Sequence, residues 1–131
     1  FRTDSYADAR VGEILGVPVT PLRLVHPRFY HLDTCFCPLG PDTAAYFPPA
    51  FDEASQKDLK SQIPHLIEIT EPDAMRFAAN AIVIGQDVII NSGCDSFRQN
   101  LQSKGFRVHE VILSQFLRAG GSAKCLVLRL N

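Results

Sequence analysis

At 131 residues and a net charge of −1, the chain has the size of one domain with its own core and offers no electrostatic footprint for nucleic acid or an anionic membrane. A composition of 46% hydrophobic and 21% charged residues excludes disorder and collagen-like structure. No apolar run approaches the ~20 residues of a membrane span, and the opening FRTDSYADAR lacks the charged-then-apolar layout of a signal peptide. It begins in mid-phrase and reads as a piece of something longer.

Taken in chain order, the pattern predicts a first helix from Asp4 or Ser5 to Leu15. Ala7, Val11, Ile14 and Leu15 recur at helical spacing, and Gly16 supplies the stop. Val17 to Val25 is apolar and extended, confined by Pro18 and Pro21 to an edge or to irregular pairing. A strand is expected from Phe29 to Pro38, returning through the turn GPD into TAAYF. After Pro48-Pro49 a second helix is expected from Asp52 to about Ile63, with Ala54, Leu59 and Ile63 inward, and LIEIT follows as a strand.

NAIVIGQDVIIN is the clearest hairpin, two β-branched runs joined around Gly85-Gln86. A third helix should start near Asp95 or Ser96, where Gln99 can close a capping box, and end at Gly105. FRVHEVIL and KCLVLRL are read as the last two strands. The fold class is therefore α/β. Hairpins between helices argue against a doubly wound sheet, and the chain holds no GxGxxG or P-loop, so no cofactor is expected.

Chemistry-bearing residues gather in FYHLDTCFCPLG, Phe29 to Gly40. On an extended strand His31, Asp33, Cys35 and Cys37 would share one face, compatible with a metal site, a redox pair or part of a nucleophilic site. Alternate strand residues lie about 6.5 Å apart, so one strand cannot wrap a tetrahedral ion, and no metal site is expected. Cys35 and Cys37 read as apolar fillers, Cys94 as a turn residue, and His26, His65 and His109 as surface or edge residues. The spacing of the four cysteines argues for free thiols and hence a cytoplasmic protein. Cys125 follows AGGSAK; a buried structural thiol and a reactive nucleophile are both compatible with its position.

FYHLDTCFCPL, followed some ninety residues later by AGGSAKCLVLRL, resembles the guanidine-modifying superfamily of amidinotransferases, arginine deiminases and dimethylarginine dimethylaminohydrolases. That superfamily carries a strand H-x-D and a C-terminal G-G-x-x-C. RTDSYADARVGEILG and FAANAIVIGQDVIINSG resemble stretches of its dimethylargininase branch. The resemblance implies part of a five-module ββαβ propeller, the pentein fold, with about two and a half modules here as the C-terminal half of a catalytic domain.

It further implies attack of Cys125 on the guanidino carbon of arginine or a derivative, through a covalent amidino-thioether. His31 would be the acid/base, Asp33 would grip the guanidinium, and Arg2 would pair with a substrate carboxylate. Water resolves the intermediate in hydrolases and an amine in amidinotransferases. A third catalytic acid, from an E-G-G-D-type loop, is expected upstream of Phe1. Expected partners are the guanidino substrate, the N-terminal half of the same enzyme, and a second copy through unpaired sheet edges. The competing reading is a non-catalytic α/β domain whose His-Asp-Cys strand is structural or binds a metal or small molecule.

Overall fold

The fold is given by a computed structural model, in which residues 3–4, 6–128 and 130 are described. Its plan is one unit used twice. In the first unit β1 (Phe36–Pro38) pairs antiparallel with β2 (Thr43–Tyr46). Helix α2 (Glu53–Gln62) then carries the chain to β3 (His65–Glu68), parallel to β2; α1 (Ala7–Leu15) precedes this unit. In the second, β4 (Ile82–Ile84) pairs antiparallel with β5 (Asp87–Asn91), and α4 (Asp95–Ser103) leads to β6 (Arg107–Val111), parallel to β5. The expected ββαβ module is thus present in two complete copies, each with its middle strand hydrogen-bonded on both sides.

Each module seats its helix on its sheet through the first and second turns. From α2, Ser55 and Leu59 are buried; from α4, Phe97 and Leu101. Ala54, expected inward, is exposed, because the face toward the sheet begins one residue later, at Ser55, whose hydroxyl accepts from the Arg23 N–H at 2.8 Å. A continuous core joins the modules, with Phe29, Tyr46, Ile67, Phe77, Val88 and Ile90 nearly or fully buried. Removing that apolar surface from water is the main force holding the two sheets together.

Helix α1 (Ala7–Leu15) forms close to the predicted span and ends at Gly16 with φ +64°. Its apolar stripe does not pack as expected. Val11, Ile14 and Leu15 are exposed, and among the described residues the helix buries nothing. Two short helices, α3 (Glu71–Ala74) and α5 (Ser114–Arg118), were not predicted; each is under two turns, too short for apolar periodicity to register. Among the described residues no helix is long and apolar enough to cross a membrane.

Two predicted strands are corrected. Leu32–Thr34 is a 3₁₀ turn and only Phe36–Pro38 is strand. The cause is Thr34, whose hydroxyl and N–H both donate to the His31 carbonyl, at 2.5 and 3.1 Å, in place of a ladder partner. His31, Asp33, Cys35 and Cys37 therefore do not form one polar strand face. The second correction is Lys124–Leu126, also a 3₁₀ turn. The backbone N–H groups of Lys124 and Cys125 are taken by Asn80, and that of Leu126 by the Ala123 carbonyl, rather than by a neighbouring strand.

Candidate active site

The site is built where the entries to the modules meet. The segment entering β1 carries His31 and Asp33 on its 3₁₀ turn, and the segment entering β4 carries Asn80. The loop after α5 carries Cys125 on a third turn. Cys125 Sγ lies 3.6 Å from Asp33 Oδ2, across 92 positions of sequence. Folding thus brings together two of the four residues selected from the sequence. His31 stands on the same turn as Asp33, exposed, its ring 4.8 Å from that of Tyr30. Arg2 falls outside the described residues.

The double glycine before Cys125 has a specific use at each position. Gly120 adopts φ +91°, and a Cβ there would stand 2.8 Å from the Tyr30 hydroxyl, which donates to the Gly120 carbonyl at 2.6 Å. A Cβ on Gly121 would meet Cys125 Cβ at 3.0 Å. The first glycine lets the loop dock on Tyr30, and the second leaves room for the thiol. Tyr30 and Asp33, on either side of His31, both contact this loop.

Asn80 was missed as a site residue, although AAN was singled out as a motif. Fully buried, it joins all three segments. Its Oδ1 accepts from the backbone N–H groups of Ser122 and Cys125 at 2.9 and 3.2 Å, and its carbonyl accepts from Lys124 N–H at 3.1 Å. Its Nδ2 faces the Asp33 carbonyl and Oδ2, each at 3.1 Å, and Cys125 Sγ at 3.2 Å. Two backbone donors on one side of the carboxamide fix which end is oxygen, so the NH₂ must face Asp33 and the sulfur. Asn80 is presented by a tight turn after α3, in which Phe77 takes φ +55° while almost wholly buried. A left-handed backbone is unusual for a bulky residue and is held here by surrounding packing.

Burial separates the four thiols. Cys35 and Cys94 are pushed up to about 12 and Cys37 to about 11, chiefly because each is buried among apolar groups. All four cysteines are free, and Cys125 alone is exposed. Cys35 and Cys37 are the core fillers read from the sequence. Cys94 is buried at the start of α4 rather than lying in an open turn. Among the described residues no three His, Cys, Asp or Glu side chains are grouped as metal ligands. His65 and His109 are exposed, as expected, while His26 is half-buried with its ring 5.0 Å from that of Phe29.

An open groove of about 850 Å³ runs between α1, the 19–24 segment and α2, bordered at one end by Tyr30, His31 and Leu32. Cys125 is not in its wall.

Two ββαβ modules whose entries converge on one exposed thiol match part of the module set of an α/β-propeller protein. No protein-family model matches the chain, but individual relatives do. It is 42% identical over its whole length to the N(G),N(G)-dimethylarginine dimethylaminohydrolase of Mycobacterium tuberculosis, covering 43% of that protein. It is equally 42% identical to the bifunctional arginine dihydrolase/ornithine cyclodeaminase ArgZ of Synechocystis, covering 19% of it. The crystal structure of the N-terminal domain of ArgZ bound to product superposes with TM-score 0.95 at 41% identity, over all of this chain and 49% of that one. That domain has also been seen covalently bound to a reaction intermediate, and with substrate in a Cys→Ser mutant. The chain belongs to the guanidine-modifying pentein superfamily. It spans less than half the length of the curated relatives it matches.

Proposed function

We propose that the intact protein hydrolyses the guanidino group of arginine or an arginine derivative, with Cys125 as nucleophile. The observation that carries this reading is the exposed Cys125 sulfur held 3.6 Å from the Asp33 carboxylate, on a loop docked against the turn that bears His31. A guanidinium carbon is deactivated by resonance, so displacement at it needs a thiolate, a carboxylate to hold the planar cation and an acid for the departing amine. Asp33 takes the second role and His31 the third.

Sγ bonds to the guanidino carbon, and the C–N bond to the departing amine breaks as that nitrogen takes a proton from His31. Water, deprotonated by His31, then attacks the amidino-thioether, and the thiolate leaves. Both named relatives are hydrolases, which favours water over an acceptor amine in the last step. Arg2 is assigned to the substrate carboxylate. The rest of the catalytic domain supplies the third acid, the walls around Cys125 and cover for the apolar stripe of α1. The free thiols support a reducing compartment such as the cytoplasm.

The test is product analysis of the full-length protein with arginine and with N,N-dimethylarginine, separating citrulline from ornithine. Cys125→Ser should lower turnover at least about 10³-fold, and acid-quenched wild type should carry an amidino adduct on Cys125. Wild-type turnover by Cys125→Ser would end this reading.

A further inference from the structure

The carboxamide of Asn80 has two hydrogens and three acceptors within reach: the Asp33 carbonyl, Asp33 Oδ2 and Cys125 Sγ, at 3.1, 3.1 and 3.2 Å. How they are shared depends on the thiol proton. A neutral Cys125 can donate its own S–H toward Asp33 Oδ2, leaving both Asn80 hydrogens to the two Asp33 oxygens. Once the proton has left for water, sulfur is an acceptor only and sits beside a carboxylate of like charge. The donor that the described residues bring to it is the Asn80 NH₂, at 3.2 Å. That group cannot turn away, because Oδ1 is pinned by the Ser122 and Cys125 N–H groups.

We infer that Asn80 stabilises the Cys125 thiolate, donating a side-chain N–H to Sγ once the thiol proton has left. Its part in turnover rests on the hydrolase reading above; the bond to sulfur does not. A hydrogen bond to the charged form favours that form, and a buried donor aimed at an anion is worth more than one in water.

The experiment is the pH dependence of Cys125 alkylation by iodoacetamide in the full-length protein, without substrate. Thiolate sulfur displaces iodide, so the midpoint reports thiol ionisation. Asn80→Asp keeps an oxygen for the Ser122 and Cys125 N–H groups but removes both donors. Asn80→Ala removes them without adding charge. Both should move the midpoint up by about one pH unit or more, lowering the rate about tenfold at pH values below the wild-type midpoint. An unmoved midpoint in either variant overturns the inference; if only Asn80→Asp moves it, the new charge rather than the lost donor is responsible.

Should neither variant fold, wild type decides. The Asn80 side-chain ¹H–¹⁵N signals should shift with the same midpoint as alkylation, and should not do so in Cys125→Ser. Absence of that shift overturns the inference too. A displaced midpoint in a protein that leaves both arginine and N,N-dimethylarginine untouched would remove the hydrolase reading and keep the bond. An active enzyme with an unmoved midpoint would do the reverse.

Discussion

The two modules share one topology and use their entries for opposite purposes. Before β1 the chain makes a 3₁₀ turn that leaves His31 exposed and Asp33 half-buried. Before β4 it makes a left-handed turn at Phe77 and buries Asn80 completely. One entry faces outward with groups suited to proton transfer and cation binding. The other is an internal brace tying that entry to the Cys125 loop. Equivalent places in a repeated fold thus differ, with an exposed polar turn at one and a buried brace at the other.

The helices repeat the contrast in their first turns. In both α2 and α4 the third helical residue is buried, and its N–H is accepted by an aspartate carboxylate. Asp52 bonds Ser55 N–H at 2.8 Å, and Asp73 bonds Phe97 N–H at 2.7 Å. Asp52 is the residue next to its helix, whereas Asp73 reaches across from α3. The Ser96–Gln99 capping box expected for α4 is replaced by this distant acid, and no side chain of the helix's own cap residue makes the bond. The same orphan donor is satisfied locally in one module and by tertiary contact in the other.

The division of labour is most sharply tested at His31. On the hydrolase reading, His31→Ala should cut turnover of the full-length protein about 10²–10⁴-fold with the melting temperature unchanged, since the ring is exposed and the turn is held by the backbone carbonyl. A matched loss of stability would erase the contrast between an outward entry and an inward one. Next in size, Phe97→Ala in the second module should cost about 3–5 kcal/mol, measured by urea unfolding, because the cavity opens beneath α4 in the common core. A cost near that of a surface substitution would mean that α4 is not seated through Phe97.

The smallest effect concerns the two capping acids and is one of sign. Hydrogen bonds from the Ser55 N–H and hydroxyl hold Asp52 below its ordinary range. Its contribution is present above the unfolded value of about 4 and lost as pH falls through the folded one. Burial holds Asp73 above its ordinary range despite the Phe97 bond. Its carboxyl therefore favours folding at low pH, and that contribution is lost as pH rises through its folded value. Asp52→Asn should lower the melting temperature at pH 7 and have no effect at acid pH. Asp73→Asn, which keeps an acceptor and removes a buried charge, should hold or raise it at pH 7. Melting curves at both pH values check the pair, and equal losses would remove the distinction between the caps.

What could be read without coordinates was local. The hairpin around Gly85-Gln86, the start of α2 at Asp52 and the stop at Gly16 each depend on residues adjacent in sequence, where φ, branching and nearest-neighbour hydrogen bonds decide. Asp33 and Cys125, which folding brings to 3.6 Å, were legible as candidates through motifs, residue type and order, as was the nearby His31. What only tertiary structure decided was where backbone donors go when a distant partner outbids a neighbour. Asn80 took the N–H groups of Ser122, Lys124 and Cys125 and turned a predicted strand into a loop. Thr34 closed on His31 and delayed the start of another strand, and Asp73 replaced a local cap. Alternating side chains encode which face could be buried; they carry no record of a buried carboxamide forty-five positions away. A backbone amide takes whichever acceptor the folded chain delivers, and that delivery is a property of the whole.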